Sequence, residues 1–218
     1  MDALTIYIST HIDEILERTV QHISLSFTAV GLACLFGIPV GFLIVNHKKV
    51  STVVINVANI IQTIPSLALY AFAMPLFGIG TKPAIFALFL YALLPIIKNT
   101  LIGINNVDPA TVRAAKGMGM SPGQIMIQVE IPLAIPTIMG GVRIAAVTGI
   151  GIATIATLIG AGGLGTIIYQ GLGMSNQAMV LSGAIFSAVL ALAVDFILGR
   201  LERAMTSKGI LISRKKKD

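Results

Sequence analysis

Charge is what this chain has least of. Asp, Glu, Lys and Arg make up 11 % of its 218 residues, against roughly 25 % in a soluble domain. There is no tryptophan and one cysteine, Cys34. A lone cysteine excludes a disulfide or a cysteine-based metal site within the chain. No G-x-x-x-x-G-K-[ST] loop occurs, so nothing here cradles and hydrolyses ATP, and no H-E-x-x-H spacing offers a metal. With no catalytic constellation either, an enzyme is disfavoured. His11, His22 and His47 lie outside the apolar runs or at their ends and read as interfacial residues rather than ligands. A secretory signal peptide is not expected either. The first twenty residues hold Asp2, Asp13, Glu14 and Glu17 but only one basic residue, Arg18, whereas a signal begins basic and runs into a short apolar core.

What the chain does have is apolar length. Hydrophobic residues make up 56 % and the mean hydropathy is +0.92. A soluble fold is excluded. The length suits an all-α, polytopic membrane bundle of about five helices near 20 residues each. We read residues 1–218 as a single transmembrane domain with spans at about 20–45, 52–77, 83–103, 134–160 and 178–199. Residues 50–81 form one long uncharged run in which "QTIPS" (62–66) offers a break. That run reads as one broken or tilted span, or as two short ones.

Five spans put the termini on opposite sides. With the C-terminus inside, the cytoplasmic loops and tail hold twelve Lys and Arg residues, among them Lys48, Lys49, Lys98, Arg113, Lys116, Arg200 and Arg203, and the outside holds Arg18 and Lys82. This asymmetry predicts a cell-membrane protein with its N-terminus out and C-terminus cytoplasmic. The net charge of +6 does not point to nucleic acid, because four of the fifteen basic residues crowd the last five positions, "RKKKD". The basic tail (205–218) reads either as a contact for anionic lipid headgroups or as a solvated end.

Between the third and fourth spans lies a polar, jointed segment, 104–132, containing "RAAKGMGMSPGQIMIQVEIP". It is no span, since each charge at a helix centre costs about 2.5–3.5 kcal/mol on insertion scales and this stretch has Asp108, Arg113, Lys116 and Glu130. Its own signals predict two short helices. Asp108 caps, Pro109 suits the first turn, Gly117 and Gly119 offer a stop, Ser121 and Pro122 restart, and Pro132 ends the second helix. Ala114 and Ala115 permit close approach, with Val112, Met118 and Met120 offering apolar contact. The surface fits a groove in a cytosolic partner or an amphipathic loop resting on headgroups.

Two further patterns stand out inside the spans. Gly141, Ala145, Gly149, Ala153, Thr157 and Ala161 recur every four residues, a small-residue stripe that lets helix backbones meet, within one chain or between two. Arg143 and Asp195 are the charges within the fourth and fifth spans. Intramembrane charges pair or line a cavity, so an ion pair, a gate and a solute contact all stay open. "GAGGLG" (160–165) fits the dinucleotide pattern G-x-G-x-x-G, but position 185, where an acid is needed, is Ile. It reads instead as a tight non-helical passage at the outer rim.

The jointed segment resembles the signature of ABC-importer permeases. That signature begins Glu-Ala-Ala, places a glycine after three residues and ends nine residues later in Ile-x-Leu-Pro. Ala114, Ala115, Gly119, Val129, Ile131 and Pro132 carry the match, and Arg113 departs from it. "NIIQTIPSLALYAF" and "LIGAGGLGTIIYQG" resemble permeases for glycine betaine, carnitine and choline. The resemblance, over about 15–205, implies the MetI-like fold of type I importer permeases, five core spans plus a cytoplasmic coupling helix. It also implies cytosolic ABC ATPase subunits that bind the ATP, a second permease chain, identical or related, and an extracytoplasmic solute-binding protein. No cofactor is expected in this chain. A quaternary ammonium solute favours aromatic cages, yet the chain has four tyrosines. Selection then falls mainly to the binding protein, and Gln62, Thr63, Ser66 and Tyr91 are the candidates for the solute path. The alternatives are an ABC permease for another small solute, such as methionine, and a secondary transporter, for which the two buried charges are few.

Overall fold

A computed structural model describes residues 3–205, so all but the first residue of the basic tail lies outside the described residues. Within them the chain is all-helical. Short α1 (Ala3–Thr10) precedes α2 (Ile12–Ile44), and α3 (Lys48–Thr63) leads into α4 (Ser66–Phe77). Then come α5 (Thr81–Asn105), α6 (Pro109–Gly117), α7 (Pro122–Ile125) and α8 (Ile131–Ala153), and α9 (Gly165–Gly173) and α10 (Gln177–Met205) close the fold. Helix α2 begins well before the uncharged run. Its 33 residues extend about 50 Å, so the turn carrying Asp13, Glu14, Glu17 and Arg18 clears a hydrocarbon layer of about 30 Å.

Helices α3 and α4 meet at a bend of 101°. Pro65 causes it by driving the preceding residue out of the helical region, and Ile64 is extended at φ −72°, ψ 127°. Contacts at the two ends show how the pair runs. Val54 and Ile55 of α3 pack on Ile97 and Leu101 near the end of α5. At the opposite end, Gly80 N–H donates to Ile159 O beside the start of α5. The pair therefore crosses the bundle once, broken midway. With α2, α5, α8 and α10 it makes five crossings, and the first and last described residues lie at opposite ends of the bundle.

Small residues set the core spacing. A Cβ at Gly41 would lie 2.6 Å from Thr100 Cγ2, and one at Gly141 would lie 2.6 Å from Asn99 Cβ and 2.7 Å from Pro95 O. Glycine thus brings α2 and α8 against α5, where lipid supplies no hydrophobic drive and packing must hold the helices together. Within the four-residue stripe, Gly141, Ala145, Gly149, Ala153 and Ala161 are all buried inside this single chain.

Two expectations need correction. Pro132 does not end the second short helix. Met126–Glu130 winds as a π-turn, Ile131 N–H donates five residues back to Met126 O, and the helix runs on through Ala153 as one continuous element, Pro122–Ala153. In a regular helix a proline ring collides with the carbonyl four residues back, and a widened turn ahead of it relieves the collision without stopping the helix. His22 is not interfacial either, but fully buried. Its Nδ1 accepts from Leu164 N–H at 3.2 Å, and its Nε2 donates to Ile150 O at 2.9 Å. Since the amide can only donate and the carbonyl can only accept, these contacts define the neutral Nε2–H tautomer.

Candidate functional site

Three places in the fold combine exposed or polar groups with local design. The first is the elbow between α5 and α8. Asp108 Oδ1 accepts from Ala110 N–H at 2.8 Å, and Pro109 opens α6. Lys116 lies in the last turn of α6, where a cation complements the helix dipole. Gly119 then turns the chain at φ +82°, its N–H donating to Lys116 O at 3.0 Å. Ser121 and Gln124 form a reciprocal capping box that starts α7.

The signature residues divide by direction. Ala115 is buried and Ile125 anchors α7, while Ala114 and Gly119 face out. Met118 (75 %) and Ile127 (67 %) add exposed apolar surface. Val129 and Ile131 are half-buried at the foot of the span, and Pro132 is exposed. The elbow is thus a bent, capped, partly apolar surface with a small residue at its centre.

The second place is the rim at the other end. Gly160, Gly162 and Gly163 hold φ values of +78°, +80° and +82°, the left-handed region that side chains disfavour. Gln21 Oε1 accepts from Gly163 N–H at 3.2 Å beside the His22 bond to Leu164. Helix α2 therefore clamps the glycine loop through backbone amides. Replacing His22 with Ala leaves the buried Leu164 N–H and Ile150 O unsatisfied. We expect a loss of about 2–6 kcal/mol, from roughly 1–3 kcal/mol for each of the two orphaned groups, read as a lower midpoint in detergent thermal unfolding. His22→Asn, which keeps a donor and an acceptor, should recover part of it.

The third place lies between α8 and α10, on a half-exposed face of the bundle. Arg143 of α8 binds Asp195 of α10 through both forks, Nε to Oδ1 and Nη2 to Oδ2, each at 2.6 Å. Its Nη1 lies 3.6 Å from Glu202 Oε2. The group borders an open cleft of about 460 Å³ with Gly140, Ile144, Val147 and Thr148.

Of the four residues assigned to the solute path, two meet. Gln62 Nε2 donates to Tyr91 O at 2.9 Å, and Tyr91 Oη donates to Ile64 O, a carbonyl released by the helix break. Thr63 bonds back to Ile60 O at 2.7 Å. Gln62 and Thr63 are exposed, Ser66 half-buried. The sequence reading missed Gln21 and His22, a polar pair at the start of an apolar run, and Tyr70, fully buried with its hydroxyl donating to Ile152 O at 3.0 Å.

Four helices long and apolar enough to cross a membrane, a bent pair that makes a fifth crossing if it is one span, and a capped elbow at one end describe a multi-pass membrane bundle. Comparison with known proteins gives the family. Residues 33–207 match the family described as binding-protein-dependent transport system inner membrane component, and the chain belongs to it. It is 45 % identical to the carnitine transport permease protein OpuCB of Listeria monocytogenes over 98 % of each chain. It is 42 % identical to the choline transport system permease protein OpuBB of Bacillus subtilis (strain 168), over 94 % of each. Among solved structures, an inward-facing MetNI methionine ABC transporter matches with a TM-score of 0.80 at 25 % identity, covering 88 % of this chain and 97 % of that one.

Proposed function

We propose that this chain is the permease of an ATP-driven importer for quaternary-ammonium osmoprotectants such as carnitine, choline and glycine betaine. One observation carries the solute class: identity of 45 % with a carnitine permease over 98 % of both chains. The likeness to a methionine transporter, at 25 % identity, supports the permease fold and is too distant to set the cargo. In this reading the elbow faces the cytoplasm and docks a separate ATPase subunit, which holds the ATP. Ala114, Gly119 and Met118 form the contact, while Ala115, Val129, Ile131 and Pro132 fix its shape. The glycine rim faces a solute-binding protein outside, and the N-terminus lies there too. A second permease chain completes the pathway, with Gln62, Thr63, Ser66 and Tyr91 near its midpoint. ATPase closure moves the elbow and switches the access of the path. No cofactor is held in this chain.

Reconstitution in liposomes with the ATPase and binding-protein subunits tests this. Labelled carnitine, choline, glycine betaine and methionine are offered with and without ATP. ATP-dependent accumulation of the quaternary ammonium solutes is expected. Accumulation of methionine alone, or uptake that ignores ATP, would overturn the assignment.

A further inference from the structure

On another face of the bundle an open cleft of about 380 Å³ runs between α2, α4 and α5. Apart from Lys82, every residue that lines it is Leu, Ile or Phe. Phe77, the last residue of α4, meets Phe86 with ring centres 4.9 Å apart. Phe86 meets Phe89 at 6.4 Å, and Phe89 meets Phe36 of α2 edge-on at 5.9 Å. Lys82 stands in the first turn of α5, at the end of the bundle where Gly80 bonds to Ile159. From Lys82 to Phe89 the helix rises about 10 Å toward the middle of the membrane. The lining and its one charge identify the occupant. Surfaces where membrane helices meet are rich in Gly, Ala, Ser and Thr, which let backbones approach, and none of these lines the cleft. Large rings around an open gap suit a flexible chain better than a second helix, and an apolar cavity does not hold water. Lys82 is exposed, and among the described residues it makes no ion pair or hydrogen bond. A cation in the first turn opposes the helix dipole, so α5 itself gains nothing from it.

We propose that this cleft binds one anionic phospholipid, with an acyl chain along the phenylalanines and the phosphate on Lys82. The acyl chain supplies the contacts that the rings lack on their open side. A lysine at the end of a span lays its stem on apolar surface and holds its ammonium at the headgroup level, so tail and head of one lipid meet the two parts of the site together. Charge balances in the bound state, one ammonium facing one phosphate. Phosphatidylglycerol carries that single negative charge. Phosphatidylcholine offers the same tail and phosphate, but its own cation lies near Lys82 and is repelled. Fit therefore rests on the rings, and choice of headgroup on Lys82. The bound lipid is part of the folded subunit, bridging α2 and α4 across α5, whichever solute is carried.

The test uses the absence of tryptophan from the full-length chain. Phe36→Trp places a single fluorophore at the open lip of the cleft, where Phe36 is 55 % exposed and a larger ring has room. The chain is reconstituted in vesicles of equal parts phosphatidylcholine and phosphatidylglycerol. Either the one lipid or the other carries brominated acyl chains, which quench tryptophan at short range. Quenching should show phosphatidylglycerol held about fivefold more tightly, the worth of one basic residue near an anionic lipid. Lys82→Gln should bring the ratio to about one, and Lys82→Arg should keep it. A ratio of one with Lys82 in place, or a preference that Lys82→Gln leaves unchanged, would overturn the proposal. Quenching by neither lipid would overturn it as well, since a second copy of the chain would then cover the cleft. If Phe36→Trp fails to insert, Phe77→Trp at the other lip, 41 % exposed, gives the same reading.

Discussion

Gly119→Pro leaves the chain inserted in the membrane and stops ATP-driven uptake. Gly119 holds φ +82°, and proline is locked near −65°. The substitution also removes the N–H that closes α6 onto Lys116 O. Nothing lies within 4 Å of the Cβ position at Gly119, so the damage stays in the elbow and the bundle is untouched. Uptake and ATPase association should each fall by about 100-fold or more, given the roughly 3 kcal/mol and upward that a misplaced proline costs. Ala114→Trp makes the complementary case. Ala114 is exposed, so a bulky ring leaves the fold intact and blocks close approach. Co-purification with the ATPase subunit checks both, and undiminished association of either variant would mean that the docking surface lies elsewhere.

Gly165→Val prevents the chain from accumulating at all. A Cβ on Gly165 would sit 1.9 Å from Thr154 O and 2.7 Å from Thr154 C. Both are backbone atoms at the point where α8 gives way to the 3-10 turn Ile155–Ile159, so no side chain can swing aside. Overpacking a well-packed interior typically costs about 1–3 kcal/mol, and a backbone collision this close lies beyond that range. Membrane yield after size-exclusion chromatography should drop to background. Gly173→Ala, whose Cβ meets nothing within 4 Å, should express normally. Equal yields for the two would show that the rim is free to relax.

Much of this architecture was legible because membrane physics simplifies the sequence code. Long uncharged runs mark crossings, and the Asp108-Pro109 and Ser121-Pro122 pairs mark helix starts that the structure places at those residues. The π-turn before Pro132 was not legible, since proline reads locally as a stop, and only continuity with the following apolar run favours widening over termination. His22 was misread for a related reason. Position near the end of an apolar run suggested the interface, while its burial depends on a glycine loop 142 residues away folding over it. The approach of Arg143 to Asp195, 52 residues apart, could be raised from their charges but not oriented. Whether the groups face packing or a cleft depends on which side of α8 the glycines leave open.

The central claim is that the elbow lies in the cytoplasm and is covered there by an ATPase subunit. Its most direct test uses the near absence of cysteine. Cys34→Ala with Ala114→Cys leaves one reactive thiol on the exposed face of α6, to be probed with a membrane-impermeant maleimide. The account predicts no labelling in intact cells, labelling after permeabilisation of the subunit expressed alone, and protection when the ATPase subunit is present. Labelling in intact cells, or labelling indifferent to the ATPase subunit, would contradict it.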